Sequence, residues 1–291
     1  MLNAFDNLQQ QDVRKDIGRA TNALSVDIAN LNSICQSMAN QNETGQSINN
    51  YKNSYFNTNF TNSAFMDKKI NFVYLSTTAG ETVYKGAFDI GSGQAIPFPD
   101  SLFNSNLSGI SGKAGIVVLP ESPALFSDWL VRVPGSGEVS GNLIIGRYLD
   151  SNYIKNLAAT ANLYHLNVYK ISDSPIERDL KEIEPKLSSG EITPVMYVNN
   201  GFVAAYTYCT DINNTPVFIV KVDKPDDIYQ AGQNNIKALM LLLLFAGLVF
   251  SVTILLMLDK MVLVKLLRLK TKLKLPGSQL SEKKQKQLNY Y

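Results

Sequence analysis

ALMLLLLFAGLVFSVTILLML, residues Ala238 to Leu258, holds no charge, no Pro and a single Gly. A helix rises about 1.5 Å per residue, so this run spans a hydrocarbon core of roughly 30 Å. A core helix of a water-soluble domain keeps a polar face, and this run has none. It predicts a transmembrane helix. Lys260, Lys265, Arg268, Lys270, Lys272 and Lys274 follow it, whereas Asp223, Lys224, Asp226, Asp227 and Lys237 precede it. The positive-inside rule makes the C-terminal side cytoplasmic, so everything before Lys237 is expected outside the cell.

The chain has 291 residues and a formal net charge of +2. Apart from the span and the tail, enough chain remains for one large or one composite external domain. The basic tail reads as a topology signal and a contact for anionic headgroups, and no nucleic-acid partner is expected. Cys35 and Cys209 are too few for a disulfide framework, although one bridge between them could form outside the cell. Sequons begin at Asn42, Asn59, Asn106 and Asn213, all upstream of the span. Residues 1 to 30 contain no apolar run of the kind that exports a large N-terminal domain, which predicts a truncated start.

Val13, Ile17, Ala20, Leu24, Ile28, Leu31 and Cys35 recur at steps of three and four. They form one stripe on a helix from about Asn3 to Asn40, and such a stripe serves a helix packed on its own domain as well as a two-chain coiled coil. Residues 41 to 64, polar around Tyr51, Tyr55, Phe56 and Phe60, predict short helices or loops. INFVYLST (Ile70 to Thr77) and ETVYKGAFDI (Glu81 to Ile90) predict a hairpin, and residues 91 to 112 a long excursion. KAGIVVLP, PALFSDWLVRVP and EVSGNLIIGRYL (within Lys113 to Leu149) predict a meander. Ser151 is the expected cap of the next helix, followed by a strand at Leu166 to Ile171 and a charged helix at Glu177 to Glu184 ended by Pro185. VMYV, a turn at Asn199 to Gly201, FVAAYTYCTDI and TPVFIVKV complete the expected sheet, and from Pro225 the chain turns helical. The fold class is α+β: a long N-terminal helix, an antiparallel PAS- or Cache-like sheet with flanking helices, and one C-terminal transmembrane helix.

Catalytic readings find little support. The lone His165 excludes sites built on two histidines, the cysteines lack metal spacing, and GSGQAIPFP and GSGEVSGN carry no GK[ST]. Glu177, Asp179, Glu182 and Glu184 alternate with Arg178 and Lys181, the pattern of a solvated helix surface. No enzyme activity, cofactor or metal is therefore expected. What remains is a polar and aromatic pocket. Strand alternation groups Leu125, Ser127, Trp129, Val131 and Val133 on the expected core face. If the turn Gly135 to Gly137 pairs Pro134 with Glu138, Trp129 lies opposite Leu143, and Leu125 opposite Arg147. Arg147 then either forks an anionic ligand, with Trp129, Tyr74, Tyr84 or Tyr206 completing the pocket, or lays its stem over the sheet rim with its head in water.

INFVYLSTTAGETVYKGAFD, the segment Gly115 to Asp150 with its GNLIIGRYLD, and the DIYQAG before the span resemble the type-four CHASE domain. The resemblance covers roughly residues 10 to 270. It implies an extracellular sensory module of membrane receptors, of the kind that precedes histidine kinases or cyclic-dinucleotide enzymes. Where members carry an Asp-Trp-Ala-x-Trp-Asp-x-Thr-Tyr run, this chain has SMANQNETG (Ser37 to Gly45), matching at Ala39 and Thr44 alone.

The expected organisation is a long amphipathic helix at 1–45, a sensory domain at 46–234, a transmembrane helix at 235–258 and a basic cytoplasmic tail at 259–291. The expected partners are the membrane, a small-molecule ligand, a second copy in a homodimer and a cytoplasmic kinase. The alternative is a membrane-anchored binding or structural surface protein without signalling, with an anchored hydrolase as a third class.

Overall fold

The structure, a computed structural model, describes residues 2–50, 53–103, 112–133, 135–171, 178–198 and 201–288. Tyr51, the Asn106 sequon, Pro134, Glu177, the Asn199 and Asn200 turn, Tyr290 and Tyr291 lie outside them. Two compact units result, one over Asn3–Asp227 and one from Ile228 onward.

In the first unit, α1 (Leu2–Ala39) is the helix that the three-and-four spacing predicts. Val13, Ile17, Ala20, Leu31 and Cys35 are at most 3 % exposed, and Leu24 and Ile28 pack against the same cluster. That cluster belongs to the chain's own domain. The stripe is therefore covered within the chain, which is the first of the two readings it allowed, and it is not free to pair two chains.

The stripe covers two sheets, where a single sheet is expected. The first has the order β2-β1-β5-β4-β3. Its strands are β1 (Phe72–Thr77), β2 (Thr82–Ala87), β3 (Ala114–Val117), β4 (Ala124–Arg132) and β5 (Val139–Tyr148). The second has the order β6-β9-β8-β7, with β6 (His165–Lys170), β7 (Val195–Val198), β8 (Phe202–Thr210) and β9 (Pro216–Pro225). The division follows from pairing: β9 lies between β6 and β8 and thus completes a sheet of its own. A hydrogen bond from Ile212 N–H, just past β8, to Ile116 O of β3 at 3.1 Å links the two.

Helix α1 fills the inner faces of both sheets, packing with Leu125, Val131, Leu143 and Ile145 of the first and Val203, Ala205, Val220 and Val222 of the second. The outer faces are covered too. On the first sheet Phe72, Phe126 and Ile144 meet Leu102 and Leu119, so the Trp129 face is not the sole core face. On the second sheet lies α6 (Arg178–Ser188), which buries Leu180, Ile183 and Leu187. That apolar side offsets the hydrogen bond lost at Pro185, and the helix continues through the residue expected to end it.

Short helices α2 (Asn42–Asn50), α3 (Asn53–Asn59) and α4 (Asn62–Lys68) follow α1, and α5 (Ser151–Thr160) connects the two sheets. The cap of α5 is Asp150, not Ser151: its carboxylate accepts from Tyr153 N–H at 2.7 Å, and its charge suits the helix N-terminus. Both cysteines are free thiols. Cys35 faces Leu143 O at 3.5 Å and Ser127 O at 3.6 Å, and burial pushes its thiol up to about 12.

The second unit is the helix α7 (Asp227–Leu288). Among the described residues it is long and apolar enough to cross a membrane, and none of its apolar window is buried, as a core helix would require.

The glycines of GNLIIGRYLD have a steric reason. A Cβ at Gly146 would lie 2.0 Å from the Phe72 ring, and one at Gly141 2.0 Å from Ser76 O. Gly45, where the family motif carries Tyr, would meet Arg132 O at 2.9 Å. Phe72 is fully buried and has no space to yield. Gly146→Ala is expected to destabilise the fold by about 1–3 kcal/mol, the usual cost of overpacking. Thermal unfolding of the detergent-solubilised chain, compared with an exposed control such as Gly18→Ala, measures it.

Candidate functional site

Arg147 lies near the end of β5 opposite Leu125, and Trp129 opposite Leu143, as the strand pattern predicts. The route to that register differs from the expected one. Val133 N–H donates to Glu138 O at 2.8 Å, and a bulge beside Val131 and Arg132 absorbs one residue. Pairing from Val131 back to Ala124 then keeps the expected register.

The Arg147 side chain neither runs out to water nor stands free. It is 8 % exposed, with Nε donating to Lys69 O and Nη2 to Lys68 O at 3.4 Å. These carbonyls end α4, where Lys69 turns left-handed at φ 54°, so the guanidinium caps a helix C-terminus. Its third nitrogen, Nη1, sits 3.9 Å from Asp27 Oδ2 of α1, beyond hydrogen-bond distance. Asp27 in turn accepts a hydrogen bond from the Tyr153 hydroxyl of α5 at 2.8 Å. Burial lowers the Arg147 pKa, with Asp27 opposing, and burial beside Asp27 raises that of Tyr153.

Arg147, Asp27 and Tyr153 border a cleft of about 980 Å³ between α1, the end of α4, the end of β5 and α5. Lys69, Asn152, Lys155 and Asn156 line the same cleft, with Val26, Met66, Ile90 and Leu157 as apolar wall. The chemistry on offer is an unfilled guanidinium donor among amides, lysines and the carboxylates of Asp27 and Asp150. It suits a carboxylate or a similar planar anion.

The other expected site residues are not gathered there. Trp129 Nε1–H donates to Asn32 Oδ1 at 2.6 Å, which Ser127 also binds at 3.0 Å, so it fastens α1 to the first sheet. Tyr74 lies opposite Ile144 on the outer face, its ring 4.7 Å from Phe103. Tyr84 stacks with Phe56 and Phe60, at 5.4 and 4.7 Å between ring centres. Tyr206 is buried in the second sheet, where its hydroxyl and Lys221 Nζ each reach Asp179 Oδ2 at 2.6 Å. Strand alternation separates Tyr74 from Arg147, and the division into two sheets separates Tyr206. Asp27 and Tyr153 escape a reading by strands because both are helical. The signal for Tyr153 is its place four residues before Leu157 on the buried face of α5.

The paired sheets along one long helix, joined to a helix able to cross a membrane, define a sensory input domain of the PAS- and Cache-like class. The sequence pattern of the CHASE4 domain matches residues 23–168, and the chain belongs to the CHASE4 domain family. The chain is 22 % identical over 275 residues to the methanogenesis regulatory histidine kinase FilI of Methanothrix harundinacea (strain 6Ac), covering 91 % of this chain and 30 % of that protein. It thus spans under a third of that relative. The fold matches the periplasmic domain of Vibrio cholerae LuxQ, with a TM-score of 0.52 at 14 % identity, over 73 % of this chain and 99 % of that one. It also matches the extracellular domain of the putative histidine kinase vpHK1S-Z8, with a TM-score of 0.54 at 13 % identity, over 78 % and 98 %.

Arg147→Met removes the cap of α4 and leaves Asp27 without its cation. A loss of about 2–3 kcal/mol is expected, because hydrogen bonds to charged groups are worth about 1.5–3 kcal/mol. Arg147→Lys keeps the charge without the fork and is expected to fall between the two. Melting temperatures of the three proteins in the same detergent check the order.

Proposed function

We propose that this chain is the outward-facing input module of a histidine-kinase-type receptor, that it binds a small carboxylate in the Arg147 cleft, and that α7 carries the response inward. Residues 1–45 are then the leading helix, 46–234 the sensory domain, 235–258 the span and 259–291 the cytoplasmic tail. The basic residues after the span support this orientation. A homodimer in this reading pairs through α7 rather than through the covered Val13 stripe, and its output is a kinase supplied by a partner or by further chain.

The observation that carries the ligand reading is Arg147 Nη1, which borders the cleft with Asp27 3.9 Å away. A carboxylate at Nη1 competes with Asp27 for the same cation. Asp27 would keep its bond to Tyr153, so α1 and α5 would shift together relative to β5. α5 leads into β6, β6 pairs with β9 from His165↔Asp223 to Lys170↔Phe218, and β9 ends at Pro225, just before α7. A ligand can bias such an element by as much as its affinity differs between the two arrangements.

The test is thermal unfolding of the full chain in detergent against acetate, succinate and free amino acids, since a ligand that binds the folded state raises the midpoint. Asn152 and Lys155 are exposed and line the cleft. A carboxylate-dependent rise that vanishes in Asn152→Ala/Lys155→Ala, with the unliganded midpoint unchanged, is the expected result. No rise with any carboxylate, or an equal rise in the double variant, overturns the assignment.

A further inference from the structure

The outer face of the first sheet holds a polar pair unrelated to the Arg147 cleft. Asp128 on β4 is 2 % exposed and lies opposite Ile144, while Asn142 on β5 lies opposite Leu130, one step along the same face. Asp128 Oδ1 and Asn142 Oδ1 are both buried without a hydrogen-bond partner, and the Asn142 side chain is near enough to act on the Asp128 carboxyl. A buried carboxylate oxygen left in this way is costly, and two acceptors cannot satisfy each other.

A proton removes the difficulty. With Oδ1 of Asp128 protonated, the O–H donates to Asn142 Oδ1 while the Asn142 amide N–H donates to the other carboxyl oxygen. Both unpartnered atoms are used in one closed ring, and no charge remains in the sheet. We propose that Asp128 and Asn142 form a proton-binding pair through which the sensory domain responds to mildly acidic pH.

The surroundings hold no compensating cation among the described residues. Cys35 on α1 is a neutral buried thiol. Lys113, ahead of β3, is exposed and meets Asp128 through its backbone carbonyl at 3.0 Å. Arg132 of β4 donates to Gly137 O at 2.9 Å, Lys85 of β2 pairs with Asp100 at 3.0 Å, and the Tyr74 hydroxyl of β1 faces Thr82 at 3.4 Å. Burial accordingly raises the Asp128 carboxyl to about 6, with Asn142 opposing. The pair also has a route to α1, because Cys35 faces the carbonyls of Ser127 and Leu143, one residue from each partner.

The sign follows from linkage. A carboxyl that holds its proton more tightly folded than unfolded adds stability at acidic pH, and the gain is lost as pH rises from about 4 through 6. Asn at position 128 keeps the neutral ring at every pH. The melting temperature of the full chain in detergent is therefore expected to fall more steeply between pH 4.5 and 7.5 than that of Asp128→Asn, which is the more stable at pH 7.5. Infrared difference spectra should show a protonated carboxyl band that disappears near pH 6 and is absent in Asp128→Asn. In Asn142→Leu, which keeps the acid but removes its donor, that midpoint should move up. Parallel slopes for wild type and Asp128→Asn, or a midpoint near the ordinary carboxylate value, overturn the proposal.

Discussion

The fold depends on one apolar stripe with two sheets to serve. The 38 residues of α1 carry it past both inner faces, and without that helix each sheet would show an apolar face to water. At about 25 cal/mol per Å², burial of such a face is the leading favourable term, and it carries no direction. It can hold the helix against the sheets and leaves its sliding undetermined.

Polar contacts supply the missing direction. Asn32 takes Trp129 and Ser127 at the first sheet. At the second, Gln9 donates to Pro225 O at 3.3 Å, and Lys224 reaches Asp16 at 3.0 Å and Asp12 at 2.5 Å. Asp16, almost fully buried, is held by Arg19 as well, at 2.6 Å. A buried ion pair adds little net stability over an apolar substitute, but losing one partner is expensive, so such pairs set position more than they set strength. These contacts fasten α1 to the last residues of β9, next in sequence to the helix that can cross a membrane. In the proposed reading a displacement of α1 would reach the exit strand through these contacts.

The Arg147 cleft and the Asp128 pair differ in how they treat charge. Arg147 is largely satisfied by two carbonyls and keeps one nitrogen toward the cleft, where an anion can compete with Asp27. Asp128 is closed away from solvent, where the available response is to gain or lose a proton. Arg147 faces Asp27 of α1 directly, and Asp128 adjoins Ser127, which binds Asn32 of α1, so the helix that organises the fold is also the element that either event would move.

Much of this was legible in the residues. The charge-free run Ala238 to Leu258, the α1 stripe and the strand stretches follow from local periodicity, which burial on one face imposes on any helix or strand, whereas the opposition of Leu125 to Arg147 was reached from a turn pairing that the bulge beside Val131 replaces. GNLIIGRYLD also marks the family, and the structure adds the reason: Gly146 leaves room for Phe72. Periodicity says which face is buried and is silent about what buries it. The division into two sheets, the covering of the stripe within one chain, the continuation of α6 through Pro185 and the scattering of Trp129, Tyr74, Tyr84 and Tyr206 were decided by long-range packing. Asp27 meets Tyr153 across 126 positions of sequence, and no local pattern records such a meeting, because its energy arises only once both helices have packed.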